Sequence, residues 1–368
     1  MIRKVLVVGG GIGGMAAAIE LGRRGIAVDL VDLDPHWRVY GAGITITSPT
    51  LRAFGDLGIL DAVLRDGFSG NGIRICTMEG VPVDEVADPP GMPGSGGIMR
   101  PILHRILSER TLEIGTNVRL GCTVSSMDED EHGAAVVLSD GSNDRYDLVI
   151  GADGLNSAVR GLTFPDAPKP AYTGQSVWRL FAKRPAEFDR RHFFLGGKVK
   201  IGIAPVSQDS LYLFLLEKTP RHPMIPDAEL PAMMAALMQG YGGIVGRLRD
   251  ELHDASPIVM RPLEAFVLPG AWHTDRVLLI GDAAHPTTPQ LASGAGMAVE
   301  DAVVLGREID GGGEVPEILR RYQARRDARC RLVVENSLEI GRLEQAGAPP
   351  SEQTRLVAQS LARLAEPV

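Results

Sequence analysis

The sequence predicts an α/β fold: a Rossmann-like parallel sheet, an interleaved antiparallel sheet and a set of C-terminal helices. Three observations carry this reading. A β-branched run, Ile2–Val8, feeds directly into the glycines of "VVGGGIGG". The same strand-into-glycine pattern returns at "DLVIGADG" (Asp147–Gly154) and "VLLIGD" (Val277–Asp282). Between those two, from Ser176 to Glu217, alternating apolar runs separated by turn residues read as antiparallel strands.

In chain order, Gly9, Gly11 and Gly14 form a GxGxxG. Such spacing allows a tight turn, close approach of backbone N–H groups to a pyrophosphate, and close packing of helix on strand. Met15–Arg24 reads as the following helix, with Gly25 as its C-terminal cap, and the next apolar run ends at Asp32, with Leu33 beside it. Asp32 lies about where the acidic residue of a βαβ unit accepts hydrogen bonds from an adenosine ribose. Gly41–Ile59 reads as a loop and a short helix, Asp88–Gly97 as a long loop, and helical text resumes at Pro101. Val118–Val124, Ala134–Leu138 and Leu148–Ile150 read as strands, and Val199–Ala204 with Ser210–Leu216 as a hairpin around Pro205–Asp209. After Pro269 a parallel-type strand returns, and the remainder is mostly helical. Pro349-Pro350 should end one helix and Ser351 cap the last, which packs on its own domain or forms a dimer contact.

Composition narrows the function class. A chain of 368 residues, 44% hydrophobic and 23% charged, suits a folded protein with a sizeable core. A net charge of −8 argues against nucleic-acid binding, which needs a positive surface. Cys76, Cys122 and Cys330 are scattered, without the spacing of a zinc site or a redox dithiol, and the histidines show no metal-ligand spacing. No metal and no disulfide are expected, and a reducing, cytoplasmic setting is. Glycines interrupt the apolar N-terminus by residue 9, so it reads as a strand and not a signal peptide. No run of about 18 apolar residues suggests a membrane span.

The second and third motifs add chemistry. Asp153 and Gly154 end one strand ahead of a helix near Arg160; Asp282 ends another, where it can accept from a sugar-like hydroxyl; Gly294, Ala295 and Gly296 open a helix whose free N–H groups favour negative charge. With the first motif, in this order, the chain resembles the FAD-dependent aromatic hydroxylase family, the single-component flavoprotein monooxygenases of the p-hydroxybenzoate hydroxylase fold. It is most similar to the salicylate-, urate- and nicotinate-type members. The resemblance spans nearly the whole chain and implies a division into a discontinuous FAD-binding domain (1–72, 98–174 and 266–345), a substrate-binding domain (73–97 and 175–265) and a C-terminal helix (346–368). It also implies that Gly9, Gly11 and Gly14 hold the FAD pyrophosphate, Asp32 the ribose, Arg100 the flavin side and Val124, through its backbone, the adenine. Asp153 and Gly154 match a motif assigned to both FAD and reduced nicotinamide nucleotide, and Asp282 would bind the ribityl chain. One departure is Ser48-Pro49, where the family often has Pro-Asn.

The cofactor is read as FAD for an independent reason. A disulfide-reductase-type flavoenzyme would carry a second strand–GxGxxG–helix and a close cysteine pair, and the other glycine clusters (94–97, 196–197, 240–246) follow no apolar strand. NADH or NADPH would therefore dock transiently on the same fold. The expected chemistry is hydroxylation of a small aromatic or heteroaromatic, possibly anionic, compound with O2 through a flavin C4a-hydroperoxide, which survives only where water is excluded. Alternatives are a non-oxygenating flavin oxidoreductase or a halogenase on the same fold, or a non-catalytic flavin-binding redox sensor. The halogenase signature of two tryptophans one residue apart is missing, since the tryptophans are Trp37, Trp178 and Trp272.

Candidate substrate residues fall in the antiparallel block and beside the third motif. Period-two alternation puts Lys200, Gly202 and Ala204 on one face, with Tyr212 and Phe214 on the matching face of the partner strand. That face looks at the flavin, or it is the outer face of an ordinary sheet. Lys200 and Tyr212 match substrate contacts of urate-type relatives, where the first is arginine; lysine keeps the charge and loses the planar fork. Trp178 lines the pocket or is core. Arg179 begins a basic stretch, seven Lys/Arg up to Lys200 against Glu187 and Asp189, which is a solvated face or meets an anion. Pro289 is a further substrate-facing candidate. His285, in "GDAAHP", shuttles a proton or holds the loop. Tyr212, Lys200 and His285 are the catalytic candidates, in a monomer or homodimer.

Overall fold

The computed structural model describes residues 1–39, 43–70, 72–88, 94–220 and 225–368. A five-stranded parallel sheet runs in the order Val277–Leu279, Leu148–Gly151, Lys4–Val8, Ala27–Asp32, Asn117–Leu120. Its central strands are apolar on both faces because helices cover both, as a parallel sheet requires. Helix Ile12–Gly22 packs against helix Gly294–Asp310, and Gly13 allows the approach: a Cβ there would sit 3.3 Å from the Ala298 methyl. All three glycine motifs thereby lie at the carboxyl ends of neighbouring strands, where ligands bind in open α/β sheets.

A seven-stranded sheet follows the order Ile258–Ala265, Ala171–Lys183, Ser210–Lys218, Lys200–Pro205, Arg191–Leu195, Ile73–Thr77, Pro82–Val86. The predicted hairpin is present, with Lys200 opposite Leu216, Gly202 opposite Phe214 and Ala204 opposite Tyr212. One face carries Trp178, Ile201, Ile203, Leu213 and Leu215 and buries them under helices Leu230–Leu237 and Gly243–Asp250. The other carries Arg179, Lys200, Tyr212 and Phe214 and faces a small sheet made of Gly43–Ile46, Gly96–Met99 and Phe68–Ser69. A third small sheet joins Val124–Asp130, Gly133–Leu138 and Asn143–Tyr146.

Several local expectations are corrected. The first helix begins at Ile12, directly after Gly11, and not at Met15. The run Val118–Val124 is two strands in different sheets, parted at Gly121, whose φ of +75° turns the chain. Within the expected loops 41–59 and 88–97, Gly43–Ile46 and Gly96–Met99 are paired strands; residues 41, 42 and 89–93 lie outside the described residues. Glycine is required there because the seven-stranded sheet presses close: a Cβ on Gly43 would lie 2.7 Å from the Tyr212 Cβ, and one on Gly97 3.0 Å from Val206. The last helix, Pro350–Ala365, starts before Ser351, so that residue is no cap. This helix packs on its own chain, with Leu364 buried and Arg52 donating to the Ala365 carbonyl at 2.6 Å. No described helix is long and apolar enough to cross a membrane.

Candidate active site

The first glycine turn has three distinct demands. Gly9 takes φ +107°, and a Cβ there would meet the Ala152 carbonyl at 2.4 Å. A Cβ on Gly14 would lie 1.8 Å from the Gly9 oxygen, so this glycine brings helix onto strand. Around Gly11 the space is open, and Gly11 caps helix Ile12–Gly22 without a side-chain bond. The first N–H groups of that helix are therefore available to an anion. Asp32 accepts from the N–H groups of Gly10 (2.6 Å) and Asp34 (2.8 Å) and keeps lone pairs for further donors. Cys122 N–H bonds to the Asp32 carbonyl, which brings the start of the Val124 strand beside it, while Leu33 is exposed. Trp37, missed in the sequence, closes over the turn by donating to the Gly10 carbonyl at 2.9 Å.

The second motif is tied to the third. The Asp153 carboxylate accepts from Ala158 N–H (2.7 Å) and Val159 N–H (3.1 Å) and so caps the following helix, while Gly154, at φ +78°, has open space around it. Arg160 donates to the Leu155 and Ala283 carbonyls, bonding the two loops together. Asp282 opens to the cleft and has no hydrogen-bond partner among the described residues. The protein around the cleft raises its pKa, against the pull of His285 and Arg100.

Helix Gly294–Asp310 begins without a side-chain cap, so the N–H groups of Gly294, Ala295 and Gly296 have no helical partner. Gly296 has a packing reason as well: a Cβ there would lie 2.4 Å from Thr50 Oγ1. Pro289 sits just before, in the turn Pro289–Leu291.

Arg179, Tyr212 and Asp282 all lie close enough to Arg100 to act on its charge, and these four residues bound the candidate site. Arg100 starts helix Arg100–Glu113 and makes no hydrogen bond with any described residue. Burial lowers its pKa, Arg179 lowers it further, and Tyr212 and Asp282 oppose both. Arg179 donates from Nε to the Tyr212 hydroxyl at 3.1 Å. Tyr212 stacks on Phe214 at 5.7 Å, and Phe193 meets Phe214 edge-on. Gly202 leaves room for the Phe214 ring, since a Cβ there would lie 2.3 Å from it. The result is an aromatic wall with two guanidinium groups that no carboxylate bonds, among the described residues.

Three candidates are corrected. Trp178 is fully buried on the opposite face of the sheet, donating to Glu217, and is core. Lys200 lies on the aromatic face, but its Nζ pairs with Glu344 at 2.8 Å, so its charge is already met. His285 points away from the cleft, to Asp301 at 2.8 Å, and is a loop-holding residue. Ligand atoms of His285, Asp301 and Cys330 approach within 4.8 Å of one another, yet Arg326 bonds both Asp301 (2.7 Å) and Cys330 (3.4 Å) and fills the place of a cation.

The sequence profile of a family described as "FAD binding domain" matches residues 3–337. Among curated relatives, aurachin C monooxygenase/isomerase of Stigmatella aurantiaca is 32% identical, over 93% of this chain and 89% of that protein. The 2-heptyl-3-hydroxy-4(1H)-quinolone synthase of Pseudomonas aeruginosa is also 32% identical, over 94% and 90%. Among solved structures, Klebsiella pneumoniae HpxO complexed with FAD and uric acid shares the fold, with a TM-score of 0.85 at 24% identity over 99% of this chain and 93% of that one.

Proposed function

This chain belongs to the FAD-dependent aromatic hydroxylase family, and from that premise we propose that it hydroxylates a small, anionic aromatic or heteroaromatic compound at the expense of NADH or NADPH. It is an enzyme, a flavin-dependent monooxygenase. When bound, FAD supplies the redox chemistry, accepting electrons from the reduced nicotinamide and activating O2 so that one oxygen atom enters the substrate.

The residues present fit that cofactor. Open space at Gly11 and Gly154, an Asp282 with no hydrogen-bond partner among the described residues and the spare lone pairs of Asp32 are what pyrophosphate, ribityl and ribose groups need. Gly9, Gly11 and Gly14 would hold the pyrophosphate, Asp32 the ribose, Val124 the adenine side, Asp282 the ribityl hydroxyls and Arg100 the flavin side. The N–H groups of Gly294–Gly296 would favour negative charge on the ring by roughly 0.3 to 2 kcal/mol. We read residues 1–72, 98–174 and 266–345 as the cofactor part and 73–97 with 175–265 as the substrate part.

The observation that carries the substrate class is the Arg179–Tyr212 pair against Phe214, with Arg100 nearby and, among the described residues, no carboxylate bonded to either arginine. A phenolate, enolate or carboxylate on a flat ring satisfies all of these: the ring stacks on the wall, the anion meets the guanidinium groups, and Tyr212 donates its hydroxyl proton to the same oxygen. Phe193 and Phe214 keep water from the reacting face.

The test is a panel of hydroxybenzoates, purines and quinolones scored for stimulation of NADH and NADPH oxidation by the FAD-loaded enzyme, with product mass and peroxide yield. A product gaining one oxygen supports the reading. Peroxide alone across the panel, or a protein that takes up no FAD, rejects it.

A further inference from the structure

Seven cations lie between Arg179 and Lys200, and the structure sorts them. Lys183 and Lys198 are exposed, Lys200 pairs with Glu344, Arg190 pairs with Glu85 and Asp189, and Arg184 donates to the Gln208 and Phe188 carbonyls. Arg179 bonds Tyr212. Arg191 differs from all of these: it is only 6% exposed, and it makes no hydrogen bond or ion pair with any described residue. Its Nε is sealed off without a partner, whereas its two Nη atoms, equally unbonded, remain open to approach.

Such a group is destabilising in the folded chain, because in the interior it forgoes the solvation and hydrogen bonds that water gives it. Burial lowers the Arg191 pKa to about 10, which still leaves a cation at neutral pH, and Asp88 is the described carboxylate that opposes the shift. Asp88 does not bond it. The Asp88 oxygens accept instead from Gly72 N–H (2.6 Å), Ser95 N–H (2.9 Å) and the Ser95 hydroxyl.

The position of Arg191 gives this open cation a use. Arg191 and Phe193 are two residues apart on strand Arg191–Leu195 and so share one face of the sheet, and Phe193 meets Phe214 edge-on. That is the face of Arg179 and Tyr212. In the pairing, Arg179 opposes Phe214, Phe214 opposes Gly202 and Gly202 opposes Phe193, so the aromatic wall runs from the strand of one arginine to the strand of the other. Three strand spacings, roughly 14 Å, separate those two strands. The two cations therefore stand at opposite ends of the wall.

We propose that Arg191 is a second anion-binding residue of the substrate site, one that takes a carboxylate at the end of the substrate remote from the oxygen held by Arg179 and Tyr212. The proposal rests on the hydroxylase reading above and sharpens its substrate class: an aromatic frame with a phenol or enol at one end and a carboxylate at the other. The Nη atoms, as donors only, accept such a group and reject a neutral alkyl or ester end.

The experiment uses the FAD-loaded, full-length protein and two acid probes of different length, 4-hydroxybenzoate and 6-hydroxy-2-naphthoate, each against its methyl ester. Dissociation constants are read from flavin absorbance changes and by saturation-transfer NMR. At one length or both, the acid should bind about tenfold or more tightly than its ester, the effect of one charge-assisted contact. Arg191→Met should erase that preference with FAD affinity unchanged, and Arg191→Lys should keep part of it. The ligand-free Arg191→Met protein should also melt no lower than wild type, because the substitution removes an unpaired buried charge while Asp88 keeps its donors. No acid preference at either length, or a preference that survives Arg191→Met, overturns the proposal. So does a lowered melting temperature, which would make Arg191 a structural partner of Asp88. Probe binding needs no turnover, so failure of the hydroxylase reading, scored on the aromatic panel, is distinguishable from failure here.

Discussion

His285 Nε2 lies 2.8 Å from Asp301 Oδ2, with both side chains buried, and the same carboxylate oxygen accepts the N–H of Gly281 at 2.8 Å. The other Asp301 oxygen bonds Arg326, which also bonds Glu300 at 2.8 Å. One buried carboxylate thus fixes both ends of the loop that presents Asp282 to the cleft.

Asp301→Asn is expected to cost about 3 to 5 kcal/mol, because it leaves His285 buried without its countercharge and takes from Arg326 one of its two buried carboxylate partners. Burial alone would raise the Asp301 pKa, but His285 and Arg326 outweigh it and hold the carboxyl far below its ordinary value. Its contribution is therefore present above about pH 4 and lost as pH falls through the folded value. For His285 burial works against charge, and Cys330 and Asp301 raise the pKa well above its ordinary value regardless. That contribution is full below about pH 6.5 and lost as pH rises through the raised value. Melting temperatures of wild type and variant between about pH 3 and pH 10 should differ most near pH 5 to 6 and converge toward both ends; a constant difference would show that the pair does not titrate as described.

Two glycines of one motif should fail differently. Gly11→Ala has room within the protein and should leave the melting temperature within a few degrees of wild type, while cutting FAD affinity about tenfold, roughly 1.4 kcal/mol. Gly14→Ala collides with the Gly9 carbonyl and should lower stability and FAD content together. Thermal melts beside fluorescence titration with FAD separate the two; equal melting temperatures for both variants would contradict the packing role of Gly14.

What the sequence revealed and what it hid divide along physical lines. The demands at Gly9, Gly11 and Asp32 are local to one turn, so their spacing exposes them. Period two also places Lys200, Tyr212 and Phe214 correctly relative to one another, but alternation cannot say which face meets the site. Trp178 and Arg179, adjacent in sequence, are therefore both substrate candidates on sequence alone, and only the helices Leu230–Leu237 and Gly243–Asp250, covering the Trp178 side, separate them. The Lys200–Glu344 pair joins residues 144 positions apart, and the Asp301–Arg326 pair joins two helices; no local pattern announces either. Gly96 and Gly97 read as loop because glycine is poor strand text, and only the close approach of the Phe68 carbonyl to Gly96 and of Pro205 and Val206 to Gly97 explains them.

Asp282→Ala should reduce FAD affinity without unfolding the protein. Its carboxylate has no described hydrogen-bond partner to lose, so removal frees no buried group, while a ribityl hydroxyl would lose a charged acceptor worth roughly 1.5 to 3 kcal/mol, about tenfold or more in affinity. Asp282→Asn, which keeps an acceptor oxygen, should fall between. Fluorescence titration that returns the wild-type dissociation constant for the alanine variant would remove Asp282 from the cofactor site.

Arg179→Met is expected to impair substrate-stimulated NAD(P)H oxidation with FAD content unchanged, because Arg179 reaches the cleft from the sheet, opposite the glycine motifs. Among the described residues its guanidinium has one hydrogen-bond partner, the neutral Tyr212 hydroxyl, and it lies near Arg100, so an anionic substrate supplies a countercharge to both. Losing it leaves that anion short of a charged donor, about 1.5 to 3 kcal/mol or roughly tenfold or more in KM. Arg179→Lys should recover part of the loss, since the charge returns without the fork. Tyr212→Phe should cost less, about one neutral hydrogen bond. Lys200→Met tests the contrast: its charge serves Glu344, so the variant strands a buried carboxylate and should lower the melting temperature more than it raises KM. A Lys200→Met enzyme with wild-type stability and a KM raised as far as that of Arg179→Met would move the substrate's charge from Arg179 to Lys200.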